Sequence, residues 1–259
     1  LFVFMFVSLK MVAYYGNYTL VVSRLGQVFS AMLDSINAGI GNLIAEGNKE
    51  KIMQVFWEML TIRHFVAGFL CFSTLHFVEP LISVWLGEQY ILDRTITALL
   101  AVYIYISSSR GVVDMYNHAH GLYPDTWSAW TELAINITVT VIAGYLWGII
   151  GILLGKIIST GIIIVLWKPY YLFKSGLHLK YTSYWAGAYR YYLVSTISIL
   201  GGHYILRFIH INETDNYILW LYYCIIGLVI YLSINITLFF LFCKGSKDSI
   251  LRLTNILKR

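Results

Sequence analysis

The sequence IIGILLGKIISTGIIIVLW, residues 149–167, decides the fold class of this protein. It contains one charged residue, Lys156, and its apolar residues cover every side of a helix. With a rise of about 1.5 Å per residue, a helix of this length crosses a hydrocarbon core of roughly 30 Å. Residues 217–243 form a second apolar run of the same kind. Both stretches predict transmembrane helices.

The composition of the whole chain agrees with this interpretation. Of 259 residues, 59% are hydrophobic and only 12% are charged, whereas soluble domains carry about 25% charged residues. Hydrocarbon offers no hydrogen-bond partner, so each crossing must be a helix or belong to a closed barrel. Barrel strands alternate apolar and polar residues, and these runs do not. We therefore predict an all-α fold, a polytopic bundle of transmembrane helices.

Seven complete crossings are predicted after a short initial segment. Residues 1–8 read as the end of a helix whose beginning lies upstream. Pro80, Pro124 and Pro169 each lie beside a predicted span, where a proline is expected to end a helix. The predicted spans are 14–39, 55–78, 92–110, 127–147, 149–167, 187–208 and 217–243.

Basic residues are concentrated in alternate connections, which predicts the orientation. Lysine and arginine are frequent in the loops 40–54 and 168–186 and in the tail 244–259, and Arg110 borders the loop 111–126, which lies on the same side. Basic flanks resist translocation and remain in the cytoplasm. The net charge of +5 therefore reflects topology, and no nucleic-acid partner is predicted. The tail either lies on the membrane as an amphipathic helix or is a frayed basic segment attracted to lipid.

The first predicted span, residues 14–39, carries a polar stripe along its whole length. The five polar residues are seven, three, seven and three positions apart, which keeps them within about 160° of arc, on one half of the helix. One reading is the wall of a hydrated cavity, in which Arg24 contacts an anionic substrate. The other is hydrogen bonding between packed helices. The stripe consists of Asn17, Arg24, Gln27, Asp34 and Asn37.

Ionisable residues in the later spans are few, and their cost in hydrocarbon marks each as a candidate. Glu132 shares a face with Ser128 and Asn136 in the span 127–147. It is a proton or cation site, or the partner of Lys156 in the next helix, in a pair that is either structural or functional. No disulfide framework or metal site is predicted from the three cysteines.

Glu58 and Arg63 lie near the cytoplasmic end of the span 55–78. Long charged side chains at such positions reach back to water, so we predict a topological role for both.

Small residues recur around the turn between the two helices that meet near residue 148. Gly144, Gly148, Gly151 and Gly155 form two small-xxx-small patterns. This spacing is typical of two helices that approach closely. We therefore predict a packing role for these glycines.

The loop 111–126 contains the one pattern that resembles a catalytic motif. His120 precedes Asp125 by five residues, an arrangement in which a carboxylate could orient a general-base histidine. His118 and His120 together with Asp114 are an alternative metal site. A polar connecting loop is the third reading and the one that we favour.

Several short motifs, taken together, resemble a known family. They include YYGNY at 14–18, GNLIAE at 41–46, PLI at 80–82 with WLG at 85–87, GLY at 121–123, ELAIN at 132–136, GIIG at 148–151 and WKPY at 167–170. In order and spacing they resemble the C-terminal half of bacterial polysaccharide-unit flippases. These belong to the multidrug/oligosaccharidyl-lipid/polysaccharide exporter superfamily. The similarity covers about residues 10–187.

The resemblance implies a fold of two lobes. Residues 1–186 would be the second lobe with its first helix truncated, 187–243 two additional transmembrane helices, and 244–259 a basic cytoplasmic tail. The N-terminal lobe of the same protein would be the partner of this chain. The protein would reside in the cytoplasmic (inner) membrane as a multi-pass protein.

The resemblance also implies a function without cofactors. The protein would move an undecaprenyl-diphosphate-linked oligosaccharide between leaflets by alternating access and would not be an enzyme. Arg24 and Lys156 are then candidates for diphosphate contacts, and Asn17, Gln27 and Asn136 for sugar hydroxyls. Asp34 and Glu132 are candidates for coupling or ion pairing. Alternatives are a drug or ion antiporter of the same superfamily, or a membrane-embedded polysaccharide polymerase or O-acyltransferase.

Overall fold

The computed structural model describes residues 5–34, 38–208, 216–243 and 245–246, and these residues contain no β-strand. The all-α prediction is therefore confirmed for the described part of the chain. Two short 3-10 turns, Glu88–Tyr90 and Tyr123–Asp125, connect some of the helices. The helices are α1 (Leu9–Asp34), α2 (Ala38–Ala45), α3 (Lys49–Leu86), α4 (Arg94–Ser109), α5 (Gly111–Ala119), α6 (Thr126–Trp147), α7 (Ile149–Gly176), α8 (Tyr181–Phe208) and α9 (Tyr217–Phe242).

Helix α3 is the axis of the bundle. Its 38 residues span about 57 Å, far more than a hydrocarbon core requires. The side chain of Asn48 caps its first turn by accepting a hydrogen bond from the Lys51 amide at 3.1 Å. Helices α1, α4, α8 and α9 all pack against it. Its aromatic side chains Phe56 and Phe72 are completely buried by these neighbours.

Among the residues that the structure describes, five helical segments are long and apolar enough to cross a membrane, so the chain is a multi-pass membrane protein. The segments are α3, α7, α9, the α4 and α5 pair at Arg94–Ala119, and Tyr123–Trp147, which contains α6. We predicted seven spans. The other two, α1 and α8, have 26 and 28 residues and pack against α3. The tyrosines and polar residues of α1 and α8 lower the mean hydropathy of these two helices below that of the other five segments.

Two of the three prolines do not end a helix, contrary to the prediction. Pro80 lies inside α3, which continues to Leu86. Pro169 lies inside α7, between two segments of wider, π-type pitch, Gly161–Trp167 and Leu172–Gly176. A proline removes one backbone donor and crowds the preceding turn, and a wider turn relieves both problems. The predicted loop 168–186 is helical except at residues 177–180, because α7 continues to Gly176 and α8 begins at Tyr181.

The three loops predicted to share one side of the membrane do meet at one end of the bundle. Ile40, Ile52, Tyr116, Phe173 and Tyr184 form a single buried cluster there. The Tyr116 hydroxyl donates to the Ile52 carbonyl at 3.1 Å. The alternation of helix directions therefore agrees with the predicted topology. The assignment of this end to the cytoplasm rests on the basic residues.

The glycine pattern between α6 and α7 is a packing feature, as predicted. A side chain on Gly151 would overlap the backbone carbonyl of Ala143, and one on Gly155 would overlap Thr140. Gly148 joins the two helices with φ +58°, a conformation that favours glycine. The two helices thus cross with backbone against backbone.

We predict that Gly151→Ala destabilises the protein by on the order of 1–3 kcal/mol, because the added methyl group has no space at this crossing. Gly16→Ala is the control, since a methyl group there meets nothing within 4 Å and alanine favours a helix. Thermal unfolding of the detergent-solubilised variants measures both. Equal melting temperatures for the two variants would contradict a tight crossing.

Candidate functional site

A polar cavity of about 410 Å³ lies between α1, α4 and α7. Most of its polar lining consists of hydroxyl groups, and no carboxylate lines it among the residues that the structure describes. Its polar lining includes Thr19, Gln27 and Ser30 of α1, Tyr103 and Ser107 of α4, and Lys156 of α7.

Lys156 is the cation of this cavity. It is half-buried, and its ammonium lies over the ring of Tyr103, 5.5 Å from the ring centroid. Its ammonium forms no ion pair within the described residues. An ammonium in a membrane bundle is costly unless it meets water, a dipole or an anion. The aromatic face supplies part of that stabilisation, and the site remains suited to an anionic group.

A second polar cleft, of about 680 Å³, continues from this cavity towards the end of the bundle that is predicted to be cytoplasmic. Ser30 and Ser107 line both spaces. Arg63 and Arg110 line the cleft together with Asp114. We call the two spaces together the polar groove. It runs from the predicted cytoplasmic end to Lys156.

The arginines of the groove are held in different ways. The Arg110 guanidinium pairs with Asp114 at 3.3 Å, and both side chains remain partly exposed. Arg63 is only 5% exposed, and its guanidinium lies against Gly111, where any side chain would collide with it. We predicted that Arg63 and Glu58 reach to water, but Glu58 is also buried, at 2% exposure. The prediction was wrong because α2, α5, α8 and α9 surround this end of α3.

The polar stripe of α1 is only partly in the groove. Gln27 lines it. Arg24 is exposed, lies outside the lining and donates a hydrogen bond to the Gln27 side chain at 3.2 Å. Asn17 is half-buried and also lies outside the lining. The Asp34 side chain and Asn37 lie outside the described part of the chain.

The predicted pair of Glu132 and Lys156 does not form, and the pairing of the two helices explains why. In an antiparallel hairpin turning at Gly148, residue 156 lies level with about residue 140, as the contact of Gly155 with Thr140 shows. Glu132 is about eight residues further along α6, or roughly 12 Å away. Asn136, the other predicted polar residue of α6, instead donates to the Ser159 hydroxyl at 3.3 Å. Glu132 is half-buried.

Asp125 anchors the turn before α6, because both of its carboxylate oxygens contact donors on other residues. One accepts a hydrogen bond from the Trp167 indole at 2.8 Å. The other lies 3.0 Å from the Lys168 ammonium and accepts from Ser128 at 3.1 Å. Asp125 is 4% exposed. This hub fastens the turn before α6 to the middle of α7.

Within the described residues, the structure does not join the histidines of the same segment to Asp125 or to a set of metal ligands. The His120 imidazole contacts the Tyr116 carbonyl at 2.8 Å and makes no hydrogen bond with Asp125 in the described structure. His118 is exposed. Groups of three or more potential metal ligands are absent from the described residues. Most of the segment that we predicted to be a polar connecting loop is helix α5.

Sequence reasoning missed the contribution of α4 to the groove. Tyr103, Ser107 and Arg110 are spaced by four and three residues and share one face of a helix or its extension. This polar face in an otherwise apolar span could have been identified from the sequence. The burial of Arg63 could not be predicted in this way, because it results only from the packing of other helices.

An apolar groove lies on the opposite side of α4. It encloses about 580 Å³ and is lined by α3, α4, α7 and α8. Gly161 and Val165 of the wide-pitched part of α7 contribute to it, as do Tyr192 and Leu200 of α8. A smaller apolar space continues from it along α8. Helices α4 and α7 thus separate a polar groove from an apolar one.

We predict that Asp125→Asn destabilises the protein by on the order of 2–3 kcal/mol, because it leaves the Lys168 ammonium without its partly buried counter-ion. Asp114→Asn is the matched control. It removes the partner of Arg110, whose side chain is 45% exposed, so the loss is below about 1 kcal/mol. Thermal unfolding distinguishes the two. An equal loss in both variants would show that Asp125 is not an anchor.

Comparison of the chain with protein-family models, with curated proteins and with solved structures finds no match.

Proposed function

We propose that this chain is part of a flippase that moves a lipid-linked anionic oligosaccharide across the membrane. The proposal rests on the polar groove. A glycan diphosphate must enter an apolar bundle, so the protein has to supply cations and hydrogen-bond donors inside it. Lys156 at the inner end of the groove and Arg110 at its mouth supply the cations.

The charge of the groove carries the proposal. The inner cavity contains Lys156 and no carboxylate among the described residues, and the Asp114 carboxylate of the outer cleft is paired with Arg110. A groove with this charge favours an anion. An antiporter of cationic drugs or ions would be expected to use an acidic cavity instead. The antiporter is therefore the weaker candidate.

The neutral lining suits the remainder of such a substrate. Hydroxyl groups of Thr19, Ser23 and Ser107, together with the Gln27 amide, can exchange hydrogen bonds with sugar hydroxyls. Arg24 would act at the rim, where it holds Gln27. The polyprenyl chain would remain in lipid or in the apolar groove across α4, because apolar surface gains nothing from the polar groove.

The partner that this proposal requires is a second lobe. The groove is open along α1, and alternating access needs another body that covers and uncovers it. On this view residues up to 186 form one lobe, α8 and α9 are additional helices, and the N-terminal lobe of the same protein faces α1.

We predict that Lys156→Gln lowers transport of the glycolipid by about 10- to 100-fold, because a charge-assisted hydrogen bond worth about 1.5–3 kcal/mol is lost. Lys156→Arg should retain much more activity, since it keeps the charge. Surface polysaccharide is measured in cells that lack the native gene and express each variant at equal level.

Lys10→Gln is the control for that experiment, because Lys10 is an exposed cation at the other end of α1 from the cleft. It should transport at the level of the unaltered protein. Normal surface polysaccharide with Lys156→Gln would refute the assignment of Lys156.

We also predict that the groove is hydrated. In a protein whose native cysteines are replaced, Ser107→Cys should react with a water-soluble maleimide, because Ser107 lines both parts of the groove. Ser109→Cys is the control, two residues further on the same helix and 4% exposed. Labelling is followed by mass spectrometry. If Ser107→Cys is as unreactive as Ser109→Cys, water does not enter the groove.

A further inference from the structure

A second series of polar side chains runs through the bundle where α3 meets α8 and α9, separate from the polar groove. The two helices α3 and α8 run in parallel. Gly187 lies against Trp57, Ser195 near Gly68, and Gly202 against Phe72. Polar residues that recur every one or two turns on α3 therefore face polar residues of α8 at successive depths in the bundle.

At the end predicted to be cytoplasmic, the series begins with two linked pairs. The Thr61 and Tyr191 hydroxyls are 3.1 Å apart. One turn further along α3, the imidazole of His64 lies 2.9 Å from the Tyr105 hydroxyl. His64 is 1% exposed and stacks on the ring of Tyr191, with centroids 5.2 Å apart. Three hydroxyl groups and an imidazole are thus adjacent in the interior.

In the middle of the bundle, three polar side chains meet over Gly68. A side chain on Gly68 would lie 2.5 Å from the Tyr231 hydroxyl and 3.5 Å from both Ser195 and Asn235. Asn235 donates to the Tyr231 hydroxyl. The carbonyl oxygen of Asn235 is buried and makes no hydrogen bond in the described structure, and the buried Ser195 hydroxyl lies near that of Tyr105. Glycine at this position leaves room for polar groups from α8 and α9.

At the opposite end, the series closes with two histidines. The rings of His76 on α3 and His203 on α8 are 5.1 Å apart, centroid to centroid. Nε2 of His76 and Nδ1 of His203 are buried, and neither has a hydrogen-bond partner among the described residues. Ser198, one turn before Gly202 on α8, has a buried hydroxyl of the same kind.

These orphaned groups indicate internal water. A buried polar group without a partner costs about 1–3 kcal/mol, and such groups are ordinarily satisfied by buried water with two to four polar partners. From Thr61 to His76 is fifteen residues of helix, or about 22 Å. The hydroxyl and imidazole groups of the series therefore extend over most of a hydrocarbon core of about 30 Å.

We propose that this series is a proton pathway through the bundle, with His64, His76 and His203 as its transfer groups. Imidazole suits this role because it accepts a proton on one ring nitrogen and releases another proton from the second. After each transfer the ring is neutral again but in its other tautomer, and a rotation of the ring prepares it for the next proton. Hydroxyl groups and water relay the proton between the rings. The only species bound is a proton, so no oxidant or other co-reactant is needed.

The surroundings of the path differ along its length. The interior around His64 is aromatic, and two cations, Arg94 and Arg207, lie near His203. The neighbours at the histidine end are Glu79 one turn beyond His76, Arg94 on α4, Arg207 on α8, and Tyr223 and Cys224 on α9.

The experiment reconstitutes the purified chain in liposomes that contain a pH-sensitive dye and no glycolipid. A potassium gradient with valinomycin sets a membrane potential, and the initial rate of proton entry is recorded. The unaltered protein should exceed protein-free liposomes, and His64→Gln and His203→Gln should each lower the excess rate at least tenfold. Because no glycolipid is present, this result is independent of the flippase proposal.

The matched control is His178→Asn, which replaces an exposed histidine between α7 and α8 at a positive φ of 54° that asparagine tolerates. It should conduct like the unaltered protein. If His64→Gln does not fold, His203→Gln decides, because its ring is only half-buried. An unaltered protein no faster than empty liposomes, or normal rates with His203→Gln, would overturn the proposal.

Discussion

The burial of polar atoms in a medium without water is the constraint on which the rest of this structure depends. Backbone groups meet it by forming helices. Side chains meet it by clustering where helices contact each other. Lys156 lies against Tyr103, Asp125 is surrounded by three donors, and Arg63 is covered by the bundle. Each polar group that enters the interior therefore ties particular helices together.

Glycine determines how closely those helices approach. At the crossing of α6 and α7 the absence of side chains brings backbones together, whereas over Gly68 it makes space for hydroxyl and amide groups. The same residue thus serves a dry interface in one place and a polar one in another. The difference lies in what the facing helix supplies: the Ala143 carbonyl at Gly151, and Tyr231 with Asn235 at Gly68.

The two polar regions of the bundle differ in charge. The groove along α1 contains Lys156 and leads to arginines, so it suits an anion. The series between α3, α8 and α9 is neutral along most of its length and contains imidazoles and hydroxyls. Helix α3 lies between the two regions, and a change in its position would affect both. A transporter with separate paths for cargo and proton would have this arrangement.

The sequence by itself determined the fold class, the positions of the long helices and the close crossing at Gly151. It also determined that the loops 40–54, 111–126 and 168–186 share one end of the bundle. These follow from hydropathy, helix periodicity and local geometry, which involve residues near each other in the chain. Lys156 and Gln27 were also recognisable, since a polar residue in an apolar span is conspicuous.

Only the tertiary structure decided which polar residues meet. It placed Arg24 outside the groove, separated Glu132 from Lys156, buried Arg63 and joined Asp125 to Trp167 and Lys168. The continuation of α3 through Pro80 and of α7 through Pro169 was also beyond the sequence, because the packing of these helices outweighs the one hydrogen bond that each proline removes. Burial and pairing depend on the rotation and depth of helices far apart in the chain. Periodicity fixes the face of one helix and carries no information about the helix that covers it.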